Sequence, residues 1–232
     1  MAITRIIGEG LGLARYLDAT LLKADARRAD IQNLCARALD YRCAAVCVNP
    51  LWIEEAARLL EGSSVKVATV VGFPLGALTS RQKLTELGHS MQAGAEELDF
   101  VINLSWVKDA NWQQLKAELQ QAAGLAHQGQ AVFKVIMETG LLTSEEIVRV
   151  AQLALEAEAD FLKTSTGFGP RGVSVEDILL IRETVGTAAR IKASGGIKTL
   201  AFTRRLLDAG ADRIGTSNFE EIIREEMAEI TG

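Results

Sequence analysis

The sequence predicts an α/β fold of the (β/α)8 TIM barrel type, with a short extra N-terminal helix over residues 1–13. Three observations carry the prediction. Eight short runs rich in Val, Ile and Leu alternate with longer stretches whose apolar residues recur at helical spacing. The short runs lack a polar face, as strands covered on both sides must. The glycine fingerprint that would follow the first strand of a dinucleotide-binding open sheet is missing. No Pro- or Ser-rich linker divides the chain, so residues 1–232 read as one barrel domain.

The strand candidates are residues 15–19, 44–48, 65–71, 98–103, 131–137, 160–164, 190–193 and 213–215. Helical patterns fill the gaps. The first spans 25–41. The second, 50–60, carries Pro50 in its first turn, where the missing N–H goes unnoticed. Residues 80–93 and 111–127 follow. Thr143 and Glu146 have the spacing of a capping box and open the fifth. Ser174 opens the next segment, 199–209 stops at Gly210, and 218–230 is the last.

Composition narrows the function. With 48% hydrophobic residues a sizeable core can form, and 24% charged residues is the usual share for a soluble domain. A net charge of -5 argues against a general nucleic-acid surface. No apolar run reaches the length of a membrane span, and the first residues lack a signal-peptide core, so a cytoplasmic location is expected. Cys35, Cys43 and Cys47 form no C-x-x-C pair, which suggests neither a disulfide framework nor a zinc site. His89 and His127 both fall in helix-like stretches, which disfavours a histidine metal site or a Ser-His-Asp triad. Acid–base work is left to carboxylates, lysines, hydroxyls and water.

The chemistry gathers where polar residues interrupt apolar strands. Phe161-Leu162-Lys163-Thr164-Ser165-Thr166-Gly167 delivers a lysine into a glycine loop at a strand end. Strand ends of this polarity are where barrels place their active sites. Alternation along the strands turns Leu98, Phe100, Leu162, Ile191 and Ala193 outward, and so turns Asp99, Lys163 and Lys192 inward. Lys134 shares a face with Val132 and Ile136 and is expected to point inward too. One interior would then hold a carboxylate and three lysines. A polar plug is the bland account, since buried charges must be paired. The chemical account is that crowded ammonium groups and burial disfavour one another's charge, so that one lysine becomes a neutral nucleophile able to form a Schiff base. The pattern leaves open which lysine attacks.

The glycine loops add a second expectation. Ser194-Gly195-Gly196 follows the seventh strand and Gly215-Thr216-Ser217-Asn218 the eighth. Loops at those positions commonly hold phosphate on backbone N–H groups. Thr166 and Gly167 could add donors. Asp18 and Thr20, ending the first strand, are candidates for substrate hydroxyls. Cys47 and Asn49 close the second strand, and Cys47 reads as a small core residue rather than a nucleophile. Glu138, ending the fifth strand, is expected to pair with an interior lysine. Trp52, Trp106 and Trp112 read as packing residues.

Taken in order, several segments resemble the deoxyribose-phosphate aldolase family. They are Leu17-Asp18-Ala19-Thr20-Leu21-Leu22-Lys23, Val46-Cys47-Val48-Asn49-Pro50, Val71-Gly72-Phe73-Pro74-Leu75-Gly76, Glu97-Leu98-Asp99-Phe100-Val101-Ile102-Asn103, Lys134-Val135-Ile136-Met137-Glu138-Thr139, Lys163-Thr164-Ser165-Thr166-Gly167, Lys192-Ala193-Ser194-Gly195-Gly196 and Arg213-Ile214-Gly215-Thr216-Ser217. The resemblance implies reversible cleavage of 2-deoxy-D-ribose 5-phosphate to acetaldehyde and D-glyceraldehyde 3-phosphate. It implies Lys163 as the Schiff-base lysine, Lys192 as the neighbour that tunes it and Asp99 as a proton relay through a water. It places Asp18, Thr20, Cys47, Lys134 and Thr166 at the substrate, and Gly167, Gly195, Gly196, Ser217 and Asn218 at the phosphate. It implies no metal, no organic cofactor, and a homodimer or homotetramer, while charge and hydropathy, as above, predict no nucleic-acid and no membrane partner. Ala19, Phe168, Lys198 and Asn218 stand where family members often have His, Lys, Arg and Ser. A C-terminal tyrosine used by some members has no counterpart here, the tyrosines being Tyr16 and Tyr41.

Overall fold

The structure is a computed structural model and describes residues 12–231. The expected helix over 1–13 falls almost wholly outside these residues. Eight parallel strands close on themselves in sequence order: β1 (Leu17–Leu21), β2 (Ala45–Val48), β3 (Lys66–Val71), β4 (Glu97–Val101), β5 (Val132–Ile136), β6 (Phe161–Lys163), β7 (Arg190–Ser194) and β8 (Arg213–Thr216). Pairing of Leu17 with Ile214 and of Asp18 with Gly215 shuts the barrel. The crossovers carry α1 (Arg28–Tyr41), α2 (Ile53–Leu60), α3 (Ser80–Gln92), α4 (Leu104–Lys108), α5 (Trp112–Gln128), α6 (Ser144–Glu156), α7 (Val175–Val185), α8 (Leu200–Asp208) and α9 (Phe219–Thr231).

The expected capping box at Thr143 is present. Glu146 N–H donates to Thr143 Oγ1 at 3.2 Å, and Thr143 N–H donates to the Glu146 carboxylate at 2.8 Å. Outward residues such as Leu98, Phe100, Phe133, Leu162 and Ile191 pack against the helices in the main core. Each fully buried Leu, Ile or Phe contributes about 1.5–3 kcal/mol. Inside the barrel, Ala45, Cys47, Ala68 and Val70 make a small apolar cluster on the β2–β3 side. The interior is therefore apolar on one side and, as described below, ionic on the other.

Two elements depart from the sequence reading. The first strand was expected at 15–19 but runs Leu17–Leu21, because Leu13–Tyr16 forms a 3-10 turn. That turn is tied down from the far end of the chain, where the Glu226 carboxylate accepts from Leu13 N–H at 3.0 and 3.1 Å. The shift makes Thr20, not Asp18, the inward residue nearest the strand's C-terminal end. The short α4 was not expected. Five residues give too little periodicity to register.

Candidate active site

Strand register sets the charged residues side by side. Asp99 pairs with Lys134, and Lys163 lies opposite Lys192. All four point into the barrel, as alternation requires. Asp99 Oδ2 accepts from both Lys163 Nζ and Lys192 Nζ, each at 2.7 Å, and Oδ1 accepts from Lys134 Nζ at 2.8 Å. Two lysine nitrogens thus share one carboxylate oxygen. A lower tier completes the set. Lys192 Nζ lies 2.5 Å from Asp18 Oδ2, and Lys134 Nζ lies 2.6 Å from Glu97 Oε2. Arg213 Nη1 donates to Asp18 Oδ1 at 2.6 Å, and Nη2 lies 3.4 Å from Glu97 Oε1.

Burial and pairing compete at every one of these groups. Burial disfavours charge on Asp99, but Lys134, Lys163 and Lys192 outweigh it and hold the carboxyl well below the usual range. Burial likewise disfavours the Lys192 ammonium, yet Asp18 and Asp99 hold it above the ordinary lysine range. Lys134 is also raised, burial being outweighed by Asp99 and Glu97. On Asp18 burial is overcome by Lys192, Arg213 and Lys134, which hold it at about 2. Burial pushes the Cys47 thiol up, which keeps it a neutral neighbour of Asp99.

A pH prediction follows with a definite sign. The folded pKa of Asp18 lies below the ordinary 3.8, so its stabilisation is complete above about pH 4 and is lost as pH falls toward 2. The urea midpoint should stay level through mildly acidic pH and then fall in that window. Asp18→Asn should flatten the fall, measured by circular dichroism at a series of pH values.

Lys163 is the member of this cluster that meets open space. A cavity of about 220 Å³ sits at the C-terminal ends of the strands and touches Lys163, Thr20, Thr166, Ser194 and the loops after β6, β7 and β8. Gly167, Gly195, Gly196, Ser217 and Asn218, expected at a phosphate, all border it. Gly195 and Gly196 have φ of 90° and 75°, a backbone region that a side chain resists, so this turn requires glycine. Gly215 serves differently. A Cβ there would stand 3.0 Å from Lys192 Cε, so its absence gives the lysine stem its path. Asn218 spends its backbone N–H on Thr216 Oγ1, at 2.9 Å.

Not every expected contact reaches this space. The resemblance places Asp18, Cys47 and Lys134 at the substrate, but they do not line the cavity and are fully buried in the tier beneath. For Asp18 the cause is the two-residue shift of β1. Glu138 was expected to pair with a lysine. Its backbone adopts a left-handed φ of 55°, and the carboxylate instead accepts from Thr166, from N–H at 3.2 Å and from Oγ1. It thereby shapes the loop after β6. Four residues received no role from sequence. Glu97 and Arg213 belong to the ionic tier, and Lys23 and Lys198 border the cavity. An inward carboxylate two residues before Asp99 was the available signal for Glu97. Among the described residues, no three His, Cys, Asp or Glu side chains are grouped as a cation site, and no helix is long and apolar enough to cross a membrane.

Known proteins resemble this chain in sequence and fold. Residues 13–218 match the DeoC/LacD family aldolase. A deoxyribose-phosphate aldolase of Geobacillus sp. (strain WCH70) is 46% identical over 216 residues, covering 93% of this chain and 96% of that protein. The aldolase QR15 superposes with a TM-score of 0.90 at 36% identity, covering 96% of this chain and 99% of that one. The tetrameric deoxyribose phosphate aldolase from Aeropyrum pernix superposes with a TM-score of 0.87 at 32% identity, covering 93% of this chain and 91% of that one. Matched by the family model from residue 13 to residue 218, and over 93% of its length by a relative 46% identical, the chain that builds this charged interior and glycine-lined cavity belongs to the DeoC/LacD family of aldolases.

Proposed function

We propose that this protein is a class I aldolase that reversibly cleaves 2-deoxy-D-ribose 5-phosphate to acetaldehyde and D-glyceraldehyde 3-phosphate through a Schiff base on Lys163. The observation that carries the reading is the position of Lys163. It is the lysine that joins the buried ionic cluster to the cavity, 2.7 Å from Asp99 and at the foot of the glycine loops.

The neutral Lys163 amine attacks C1 of the open-chain sugar, and loss of water leaves a cationic imine. A two-carbon aldehyde and a three-carbon phosphate can arise only by breaking C2–C3. That bond's electrons flow into the imine and form an enamine, while the 3-hydroxyl proton passes to water in the cavity. The enamine takes a proton at C2, and water releases acetaldehyde and the free amine. Lys192 keeps its charge beside the reacting nitrogen and favours negative charge developing on oxygen. Asp99, held by the Lys134 and Lys192 ammonium groups, is a weak base and acts best as the fixed counter-charge that aims Lys163. This recasts the relay role expected from sequence.

Reduction with borohydride in the presence of acetaldehyde tests the reading. A two-carbon adduct should map to Lys163 by peptide mass spectrometry. An adduct elsewhere, or none, would sink it. The phosphate has its own check. Lys23 and Lys198 border the cavity beside Gly195, Gly196 and Ser217, and a charge-assisted contact contributes about 1.5–3 kcal/mol. Lys198→Ala should raise KM for the phosphorylated sugar by about tenfold or more and leave KM for 2-deoxyribose unchanged in steady-state kinetics. Assembly as a homodimer or homotetramer belongs to the same proposal. The tetramer of the Aeropyrum relative supports it, and light scattering on the purified protein decides it.

A further inference from the structure

The ion pairs beneath the cavity form a closed ring. From Arg213 the contacts run to Asp18, to Lys192, to Asp99, to Lys134, to Glu97 and back to Arg213. Cations and carboxylates alternate throughout. Each ring cation touches two carboxylates and each ring carboxylate touches two ring cations, so the ring balances its own charge. Lys163 stands outside it. It reaches only Asp99 Oδ2, an oxygen already bound by Lys192. With Lys163 as an ammonium the cluster carries one uncompensated positive charge in a buried site. With Lys163 as an amine it carries none.

We infer that Arg213 and Glu97, which do not touch the cavity, are positioning residues that set the charge state of Lys163 by closing this ring. The inference rests on Lys163 being the nucleophile. Arg213 supplies the cation that leaves Asp18 and Glu97 no need of a further one. Without it, three carboxylates face three lysines, and the cluster is balanced only when Lys163 is protonated. Without the Glu97 charge the opposite holds, and a protonated Lys163 leaves two charges uncompensated. The titratable groups of the barrel interior are Asp18 from β1, Cys47 from β2, Asp99 and Glu97 from β4, Lys134 from β5, Lys192 from β7 and Arg213 from β8, and on the cavity side Lys163 shares its space with Lys23 and Lys198. β3 contributes the uncharged Ala68 and Val70. Phe161 closes the floor, with Arg213, Lys134 and, from the outer side, Arg190 against its ring. The path is entirely ionic: Arg213 acts on Lys192 through Asp18, and Glu97 acts on Asp99 through Lys134.

The test is the pH dependence of Lys163 labelling by acetaldehyde and borohydride, in the unmodified protein, Arg213→Gln, Glu97→Gln and the double variant. Arg213→Gln should move the midpoint upward by about one pH unit, making labelling about tenfold slower on the acid side while leaving the alkaline plateau in place. Glu97→Gln should move the midpoint downward. The double variant, with equal charges removed, should return close to the starting value. Damage to packing alone would lower the plateau without moving midpoints in opposite directions. Near-ultraviolet circular dichroism checks folding. Should Arg213→Gln not fold, Glu97→Gln and Arg213→Lys carry the test, the first moving the midpoint down and the second leaving it in place. A midpoint common to all variants, or one that moves the same way in both single variants, would overturn the ring and leave the nucleophile standing. Absence of the Lys163 adduct in the unmodified protein would overturn the nucleophile, and the ring inference with it.

Discussion

Replacing Lys163 with leucine should remove turnover by about four orders of magnitude or more and leave the fold at least as stable as before. The two halves of this result have separate causes. The amine nitrogen is the atom that forms the imine, and no neighbour can take its place. Lys192 and Lys134 are each clamped between two carboxylates and held above the ordinary lysine range. Neither borders the cavity. Stability survives because Lys163 is the surplus cation of the cluster. Removing it leaves Asp99 with two ammonium partners and the ring intact. Truncating one partner of a buried ion pair ordinarily costs roughly 3–5 kcal/mol, but that cost arises from the charge left unpaired, and here none is left. A coupled aldehyde-release assay and a urea titration read the two effects. Appreciable turnover in Lys163→Leu would displace the nucleophile. A large loss of stability would show that Lys163 belongs to the ring after all.

The parts of this site that were legible in the sequence were those fixed by local alternation. Asp99, Lys163 and Lys192 each interrupt a run of residues that suit an outward core face, and period-two geometry turns them inward whatever else the fold does. The glycine turn after β7 was legible for a similar reason, since a positive φ strongly favours glycine. What was not legible depended on distant parts of the chain. Asp18 was read as ending the first strand, but the Glu226 carboxylate holds the preceding turn and moves the strand by two residues. The aspartate therefore sits one layer below the cavity. Glu97 was cut off by a strand boundary placed one residue late. Arg213 opens β8 and looks like a surface cation. Its role appears only when barrel closure brings β8 beside β1 and across from β4. Glu138 followed its strand as expected, but a left-handed backbone turned its side chain to Thr166 rather than to a lysine.

Asp99→Leu should be the most destabilising single change in the barrel interior, by roughly 3–5 kcal/mol, a fall of about 6–20 °C in Tm for a chain of this size. Lys134 and Lys192, both fully buried, lose the carboxylate that they share, and Lys163 loses its hydrogen-bond acceptor. The loss should depend on pH in a direction that identifies its origin. In the unmodified protein Lys192 has a folded pKa above its unfolded value, so its stabilisation is complete below about pH 10 and fades only as pH rises past that. In Asp99→Leu Lys192 keeps only Asp18 and Lys134 only Glu97, so the interior holds more cations than carboxylates and burial favours the neutral form of its lysines when folded. Their folded pKa then falls below the unfolded one, and stability should rise as pH is raised from neutral toward 10. A second substitution sharpens the argument. Adding Lys134→Met removes one of the stranded cations, so the double variant should regain part of what the single variant lost, in spite of a further buried contact having gone. Urea midpoints for the four proteins of this cycle, at neutral and alkaline pH, give both quantities. If the losses simply add and do not change with pH, the damage is one of packing, and the carboxylate is not what holds these charges inside the barrel.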